Sequence, residues 1–119
     1  MATHPIVHVD IPAAHTKEAA EFYAKTFDWT LEHAPEFDYW QFAADGGPGG
    51  GFMQAGEQAA TINRVIIYIG TDNVDKSLAE VEANGGKTVQ PKSEIPGIGW
   101  YAVFTDPEGN EVALFQGMS

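Results

Sequence analysis

The sequence predicts an α+β fold in which two tandem βαβββ modules form a curved mixed sheet. An apolar stretch rich in β-branched residues is followed by an amphipathic helical stretch, and this pair occurs twice; three shorter strand-like stretches follow each pair. Laying the end of the first predicted helix, residues 27–29, over that of the second, residues 84–86, gives a repeat of about 55 residues. We expect neither half to close its own core, so that the half-sheets pair into a concave surface suited to a ligand.

The chain of 119 residues has the size of one domain. We expect a single domain over residues 1–119, with a first module at about residues 5–55. A polar linker at about residues 56–63 and a second module at about residues 64–117 follow. This division places one helix in each module.

The first module is predicted element by element. Residues 6–11 alternate β-branched side chains and predict a strand, which Pro12 ends because proline has no N–H donor. Thr16 is the predicted N-cap of a helix over residues 17–27, whose apolar side chains recur at helical spacing and form an aromatic stripe for packing on a sheet. Further strands are predicted at residues 29–33, 39–43 and 50–54, with a glycine-rich loop at 44–49.

The second module repeats the pattern. Residues 65–69 form a nearly continuous apolar run, which is typical of a buried strand. Asp72 or Asn73 can cap the next helix, and a Gly-Gly pair at 85–86 ends it. Residues 87–90 predict a short strand. Residues 91–99, with two prolines and two glycines, predict either a loop that gates the groove or only a long approach to the next hairpin.

A β-hairpin is predicted at residues 98–116. Two apolar runs flank Asp-Pro-Glu-Gly-Asn at 106–110, in which proline presets φ and glycine can adopt positive φ. Glu111 is a single carboxylate among the apolar residues of the second strand, where a charge is costly to bury without a partner. Glu111 is therefore a candidate functional residue.

The composition excludes several kinds of partner. With 17 acidic and 6 basic residues, the net charge of −11 repels nucleic-acid phosphates and anionic lipids, so we expect neither nucleic acid nor membrane as a partner. The absence of cysteine excludes disulfides, thiolate metal sites and a cysteine nucleophile, and it fits a reducing compartment. Residues 1–5 lack the features of a secretory signal, so we expect a cytoplasmic protein. An acidic surface is also typical of proteins from saline habitats.

Several motifs occur together with the paired modules. They are His8-Val9-Asp10-Ile11-Pro12, residues 20–23 followed by 27–29, residues 72–75, Gly85-Gly86 and residues 104–110. In combination they resemble the vicinal-oxygen-chelate superfamily, which includes glyoxalase I, extradiol dioxygenases, and fosfomycin- and bleomycin-resistance proteins. The resemblance covers nearly the whole chain. It implies the glyoxalase/bleomycin-resistance fold, a homodimer and a small organic molecule as ligand.

The resemblance also bears on a metal site. In metal-using members, the first strand of each module and the last strand of the second supply His, His and Glu to a divalent ion that polarises substrate oxygens. His8 and Glu111 match the first and last positions, whereas Val65 stands at the second histidine position and a glycine tract stands at a further carboxylate position. A divalent metal (Ni, Mn, Zn or Fe) would therefore need other ligands, such as water, Gln54 or Tyr68.

Without a metal, His8 is either a general base or a strand histidine that hydrogen-bonds to Glu111 or to water. We predict His8 and Glu111 as the catalytic residues if the protein is an enzyme. The predicted ligand groove is aromatic, because strand aromatics at alternate positions can line such a surface. Its predicted residues are Trp40, Phe52, Tyr68 and Trp100.

Three functions stay open. The first is a small-molecule-binding protein of the glyoxalase/bleomycin-resistance type, which sequesters a drug or metabolite without metal. The alternative is a metal-dependent glyoxalase-like lyase, an isomerase or an extradiol-type dioxygenase that uses His8 and Glu111. The third is an interaction subunit with a vestigial groove. The sequence leaves undecided whether the protein is an enzyme.

Overall fold

The computed structural model describes residues 4–35, 39–54 and 64–118, with the exception of the Gln54 side chain. Contacts between residues divide the chain into two compact units. The amino-terminal unit comprises the described residues of His8–Ile66, and the carboxy-terminal unit comprises those of Met1–Val7 and Ile67–Ser119. The predicted linker, residues 56–63, lies outside the described residues.

The amino-terminal unit contains one βαβββ series. Its sheet has the order β2-β3-β4-β1, in which β1 and β4 are parallel and the other pairs are antiparallel. The predicted order of elements is therefore confirmed for this half of the chain. The elements are β1 (Ile6–Ala13), α1 (Thr16–Phe27), β2 (Thr30–Ala34), β3 (Tyr39–Ala43) and β4 (Gly49–Gln54). The first two residues of β1 belong to the other unit.

The core of this unit lies between α1 and one face of the sheet. Ala20 of α1, Phe42 of β3 and Phe52 of β4 are buried there. Val9 and Ile11 of β1 pack against them. Because successive side chains of a strand point to opposite faces, the residues that alternate with these lie on the face away from α1.

Aromatic contacts join α1 to the sheet, as the aromatic stripe predicted. Tyr23 stacks on Trp29 with ring centroids 5.1 Å apart, and Trp29 stacks on Phe42 at 4.2 Å. Phe22 and Phe27 are instead 58% and 56% exposed, so only part of the stripe is buried.

Two predicted boundaries in this unit are wrong. β1 continues through Pro12, which pairs with Met53 of β4, and does not end at Ile11. In a parallel ladder only alternate residues bond to a given neighbour, so a proline can be accommodated without a lost bond on that side. The N-cap of α1 is His15 rather than Thr16, and it makes no side-chain capping bond.

The carboxy-terminal unit contains the second βαβββ series. Its sheet has the order β5-β8-β7-β6, with β5 and β8 parallel and the other pairs antiparallel. The same order of parallel and antiparallel pairs thus occurs in both units, and the predicted fold class is confirmed. The elements are β5 (Ile66–Gly70), α2 (Val74–Ala83), β6 (Lys87–Ile95), β7 (Gly99–Thr105) and β8 (Glu111–Gly117). Ile66 of β5 belongs to the other unit.

The start of α2 is capped by two side chains. Asn73, one of the two predicted N-caps, accepts a hydrogen bond from the Lys76 N–H at 3.0 Å. Gln116 of β8 reaches the same end and accepts from the Val74 N–H at 2.9 Å. Val74 and Leu78 pack against the buried Leu114 of β8 on this side of the sheet. Helix and strand are therefore joined by both a polar and an apolar contact.

Of the two interpretations of residues 91–99, the gating loop is wrong for most of its length, and the structure fits the long approach to the hairpin better. β6 continues through Pro91 to Ile95, and its last residues pair with β7 as a hairpin. The register shifts twice, between Thr88 and Gln90 and between Gln90 and Ser93, so the strand bends at the proline and does not stop there. A gating loop of that length therefore does not exist here.

The turn of the second hairpin is held by one carboxylate. Asp106 accepts hydrogen bonds of 2.9 Å from the backbone N–H groups of Glu108 and Asn110 and from the Asn110 side-chain amide. These bonds, above all the one from the Asn110 side chain, hold the pKa of Asp106 below its usual value. Gly109 adopts a φ of 87°, as the predicted turn requires. The predicted β-hairpin is confirmed.

Neither helix within the described part of the chain has the length and hydropathy needed to cross a membrane.

Candidate functional site

Two polar side chains share one face of β1. Val9 and Ile11 pack against the core next to α1, so the alternating His8 and Asp10 point to the opposite face of the sheet. Asp10 is only 7% exposed, and it is one of the two buried polar residues found in the described chain. Because a buried carboxylate is costly without hydrogen bonds, its partners identify a built polar site.

Tyr39 reaches these residues by crossing a glycine. It lies on β3, which is separated from β1 by β4, and Gly51 of β4 pairs with both Asp10 and Gln41. A side chain at Gly51 would overlap the hydroxyl and ring of Tyr39. The glycine therefore leaves the space through which the tyrosine ring extends over β4 toward β1.

The three side chains meet at hydrogen-bond distance, and we call them the His8–Asp10–Tyr39 cluster. The Tyr39 hydroxyl donates to Asp10 Oδ1 at 2.6 Å. His8 Nε2 lies 2.8 Å from the same oxygen and 2.9 Å from the Tyr39 hydroxyl. The His8 side chain is 29% exposed, so the cluster can be reached from solvent at that residue.

The three contacts within the cluster favour one hydrogen arrangement at His8 Nε2. An ionised carboxylate only accepts hydrogen bonds, and the single hydroxyl hydrogen of Tyr39 is directed to Asp10. Nε2 of His8 must then carry a hydrogen to bond to either neighbour. The Asp10 carboxylate thereby orients the imidazole ring, as a carboxylate does for a histidine base.

Glu111 lies in the carboxy-terminal unit. It is the first residue of β8, pairs with Thr105 of β7 and is half-buried. By alternation it shares its face with Ala113, opposite the face on which Leu114 packs toward α2. Among the residues that the structure describes, none forms a hydrogen bond or ion pair with this carboxylate. The amino-terminal cluster supplies His8 with other partners, Asp10 and Tyr39.

The predicted groove residues of the amino-terminal unit lie on the side of α1. Phe52 is fully buried in the core and leaves no surface for a ligand, so its assignment to an open groove is wrong. Trp40 packs at the edge of the same core but is only half-buried. It also lines an open depression beside the start of α1.

The two aromatic residues predicted in the carboxy-terminal unit are on opposite faces. Trp100 packs against the core next to α2, and the Lys92 ammonium lies 4.9 Å from the centre of its ring. Tyr68 of β5 pairs with Ala113 and alternates with Ile69, which faces α2. Tyr68 therefore shares a face with Glu111, and Trp100 does not.

The residues that the structure describes do not fit a protein-bound divalent metal. No group of three or more His, Cys, Asp or Glu side chains with metal-binding geometry occurs in residues 4–35, 39–54 and 64–118. Val65, at the second histidine position, is apolar and 57% exposed, and the glycines of β4 supply no side-chain ligand. A catalytic metal in proteins usually has three protein ligands. We therefore derive no chemistry through a metal ion.

A family model described as a glyoxalase-like domain matches residues 6–115. The chain belongs to the glyoxalase-like domain family. The resemblance to the vicinal-oxygen-chelate superfamily is thereby confirmed, and the match includes both βαβββ series.

Sequence relatives of this glyoxalase-like domain come from several organisms. The putative glyoxylase CFP32 of Mycobacterium tuberculosis (strain CDC 1551 / Oshkosh) is 34% identical over 47 residues, which are 40% of this chain and 18% of that protein. The chain thus spans about a fifth of the length of this relative. A glyoxylase-like domain-containing protein of Didymella fabae is 28% identical, with coverage of 89% of this chain and 88% of that one. The anthracycline biosynthesis protein DnrV of Streptomyces peucetius is 26% identical over 90% of this chain and 45% of its own.

Solved structures share the fold at low sequence identity. Methylmalonyl-CoA epimerase from Mycobacterium tuberculosis aligns with a TM-score of 0.76 at 15% identity, over all of this chain and 93% of that one. A glyoxalase/bleomycin resistance protein/dioxygenase superfamily member from Vibrio splendidus 12B01 aligns with a TM-score of 0.68 at 12% identity, over 96% and 99% of the two chains. These similarities support the fold of the glyoxalase-like domain.

The sequence predictions include His8 but not Asp10 and Tyr39, the residues that the structure brings together with it. The signal for Asp10 was present, since a residue two positions from His8 on a strand shares its face. Tyr39 gave no comparable signal, because its contact with Asp10 depends on the pairing of β3, β4 and β1. The glycine at position 51 becomes informative only once that register is known.

Proposed function

We propose that this glyoxalase-like domain binds a small organic molecule on the face of its amino-terminal sheet away from α1, without a protein-bound metal. The observation that carries the proposal is the His8–Asp10–Tyr39 cluster, which presents a partly exposed imidazole held by a buried carboxylate. Binding sites typically combine an open surface with a few fixed polar groups. The cluster would recognise a polar end of the ligand, such as a hydroxyl or carbonyl.

The neighbouring residues support this face as a binding surface. Gln41 of β3 is exposed and Met53 of β4 is half-buried, and both alternate with residues of the core. Methionine adapts its shape to varied apolar groups, and glutamine can donate and accept hydrogen bonds. Polar and apolar contacts are thus available next to His8.

The proposal is tested by an NMR titration of the ¹⁵N-labelled chain with a fragment library, an anthraquinone and bleomycin. The names of a relative and a fold neighbour suggest the last two compounds. We expect saturable shifts of the His8, Asp10 and Tyr39 amides for at least one fragment. A His8→Gln variant should weaken that binding, and an exposed His4→Gln variant should not. Failure of every fragment to shift these amides, or equal binding by both variants, would overturn the proposal.

The metal-free part of the proposal has its own test. Protein purified without chelator should contain no stoichiometric metal, and Ni, Mn, Zn or Fe(II) should not raise its melting temperature. A bound metal that is lost in the His8→Ala variant would instead support the lyase, isomerase or dioxygenase alternative with His8 and Glu111 as ligands.

A second function is favoured by the hydrogen bond between His8 Nε2 and Asp10. We propose that His8 can act as a general base, with its imidazole taking a proton from a carbon next to a carbonyl group and later returning it. Asp10 would orient the ring during both transfers. Deuterium incorporation into a bound ketone in D₂O should occur with the native chain and stop in the His8→Gln variant. Equal incorporation by both would remove this function.

We also propose that the protein forms a homodimer and is cytoplasmic. Exposed apolar side chains support the homodimer, since Ile6 is 47%, Val7 is 38% and Val65 is 57% exposed. The absence of cysteine supports the cytoplasmic location. Light scattering at several protein concentrations would decide the oligomeric state, and a monomer at all of them would contradict the proposed dimer.

A further inference from the structure

An open depression of about 550 Å³ lies on the other side of the amino-terminal sheet from the His8–Asp10–Tyr39 cluster. It is lined by residues 14–18 at the start of α1 and by His33 and Trp40 of the neighbouring strands, and we call it the α1 depression. All of these residues belong to the amino-terminal unit. None of them belongs to the proposed binding face described above.

One wall of the α1 depression is aromatic. His33 of β2 and Trp40 of β3 are directly paired in the sheet, and their rings stack with centroids 4.4 Å apart and an interplanar angle of 24°. Trp40 is half-buried and His33 is exposed, so the pair is fixed on one side and open on the other. Such a wall favours a flat, unsaturated group over a bulky aliphatic one.

Another part of the lining is the start of α1, where the N-cap residue makes no side-chain capping bond. The N-cap residue His15 makes no side-chain hydrogen bond to the helix, whereas both Asn73 and Gln116 bond to the start of α2. The first N–H groups of a helix have no partner within the helix, and they carry partial positive charge. The start of α1 therefore offers donors to an anion.

Thr16 provides an independent observation at the same place. It is 6% exposed, and its hydroxyl makes no hydrogen bond to any residue that the structure describes. No fully enclosed side-chain oxygen or nitrogen in the described parts of the chain lacks a partner, so this hydroxyl must keep an opening. Thr16 lines the α1 depression, which supplies that opening. The hydroxyl is thus a nearly buried donor directed at the space where a ligand would lie.

We propose that the α1 depression binds a small planar monocarboxylate, such as an aromatic acid. The carboxylate would accept hydrogen bonds from the start of α1 and from the Thr16 hydroxyl, and the ring would contact the His33–Trp40 pair. Lys17 adds a positive charge to the lining, while Glu18 disfavours a ligand with a second negative charge. The site is separate from the proposed function, which does not depend on it.

The test is a titration with benzoate, followed by amide and indole shifts of the full chain. We expect saturable millimolar binding that shifts the amides of Thr16, Lys17 and Glu18 and the indole of Trp40. Benzamide has the same ring without the charge and should bind at least about tenfold more weakly, because hydrogen bonds to charged groups are the stronger ones.

Matched variants complete the test. Thr16→Val removes the hydroxyl at nearly constant volume and should weaken benzoate binding by about tenfold, whereas Thr26→Val at the exposed end of the same helix should not. Since Thr16 is nearly buried, His33→Ala at an exposed position serves as a second variant and should also weaken binding. The proposal is overturned if benzoate gives no saturable shifts, if benzamide binds equally, if the shifts lie at His8 and Tyr39 instead, or if both variants bind as the native chain does.

Discussion

The Tyr39 hydroxyl donates a 2.6 Å hydrogen bond to the Asp10 carboxylate across an intervening strand. Because Asp10 is 7% exposed, this bond replaces much of the hydration that the carboxylate loses on folding. The same tyrosine oxygen lies 2.9 Å from His8 Nε2, so the position of the imidazole depends on it.

Removal of the Tyr39 hydroxyl should destabilise the fold. Tyr39→Phe takes one donor from a buried carboxylate, and we expect a loss of about 1.5–3 kcal/mol in the free energy of unfolding. Urea denaturation followed by circular dichroism measures it. Tyr101→Phe is the control, since the Tyr101 hydroxyl makes no hydrogen bond within the described residues, and it should change stability by less than about 0.5 kcal/mol. Equal effects of the two variants would show that the Tyr39–Asp10 bond adds nothing.

Substitution of Gly51 should be harmful only while Tyr39 is present. A Cβ at Gly51 overlaps the tyrosine ring, so Gly51→Ala should cost about 1–3 kcal/mol through displacement of that ring. In a Tyr39→Ala background the same substitution should cost much less, which a double-mutant cycle detects. Gly47→Ala is the control, because a Cβ there meets nothing within 4 Å. A cost of Gly51→Ala that is identical in both backgrounds contradicts the explanation.

The core position of Phe52 predicts a large effect on stability. Phe52→Ala should lower the free energy of unfolding by about 3–5 kcal/mol, because it creates a cavity next to Phe42 and Ala20. Phe22→Ala should change it by no more than about 0.5 kcal/mol, since Phe22 is 58% exposed. Thermal and urea denaturation both measure the difference. A small loss of stability in Phe52→Ala would contradict the core position of this residue and favour its predicted place in the groove.

The contribution of Asp106 to stability should depend on pH. Its pKa is lower in the folded chain than the usual 3.8, so folding favours the ionised form. The resulting stabilisation is fully present when the pH is above the pKa of Asp106 in the unfolded chain, and it is lost as the pH falls through the pKa in the folded chain. Asp106→Asn should therefore lower the melting temperature at neutral pH, and the difference from the native chain should shrink below about pH 4. Melting curves between neutral and strongly acidic pH measure it. Asp45→Asn is the control, because the Asp45 carboxylate is exposed and makes no hydrogen bond to described residues; its effect on the melting temperature should not change with pH in this way. If the melting temperatures of Asp106→Asn and the native chain differ by the same amount at every pH, the lowered pKa is contradicted.

The order of elements could be predicted because it depends on local signals. Alternation and helical periodicity predicted both βαβββ series, and turn residues at 106–110 predicted the hairpin. The strand ends predicted at two prolines are wrong for the same reason. Each of Pro12 and Pro91 predicts the end of a strand, yet pairing with a neighbouring strand carries β1 and β6 through them.

The site could be predicted only in part. His8 followed from its position on β1, but the face of an aromatic strand residue is not defined by alternation alone. Phe52 and Trp40 alternate as groove residues would, and the packing of α1 decides that they face the helix. The contact between Tyr39 and Asp10 needs the register of three strands, which no local pattern contains.

The bend of β6 at Pro91 also affects how the carboxy-terminal sheet meets other molecules. β6 is the last strand in the order β5-β8-β7-β6, so its outer side has no partner strand within that unit. Exposed strand edges are templates for intermolecular β-pairing and aggregation. A proline without an N–H group, two register shifts and the adjacent Lys92 interrupt the flat row of donors and acceptors that such pairing needs. The irregularity that made this stretch look like a loop thus protects the edge of the sheet from uncontrolled self-association.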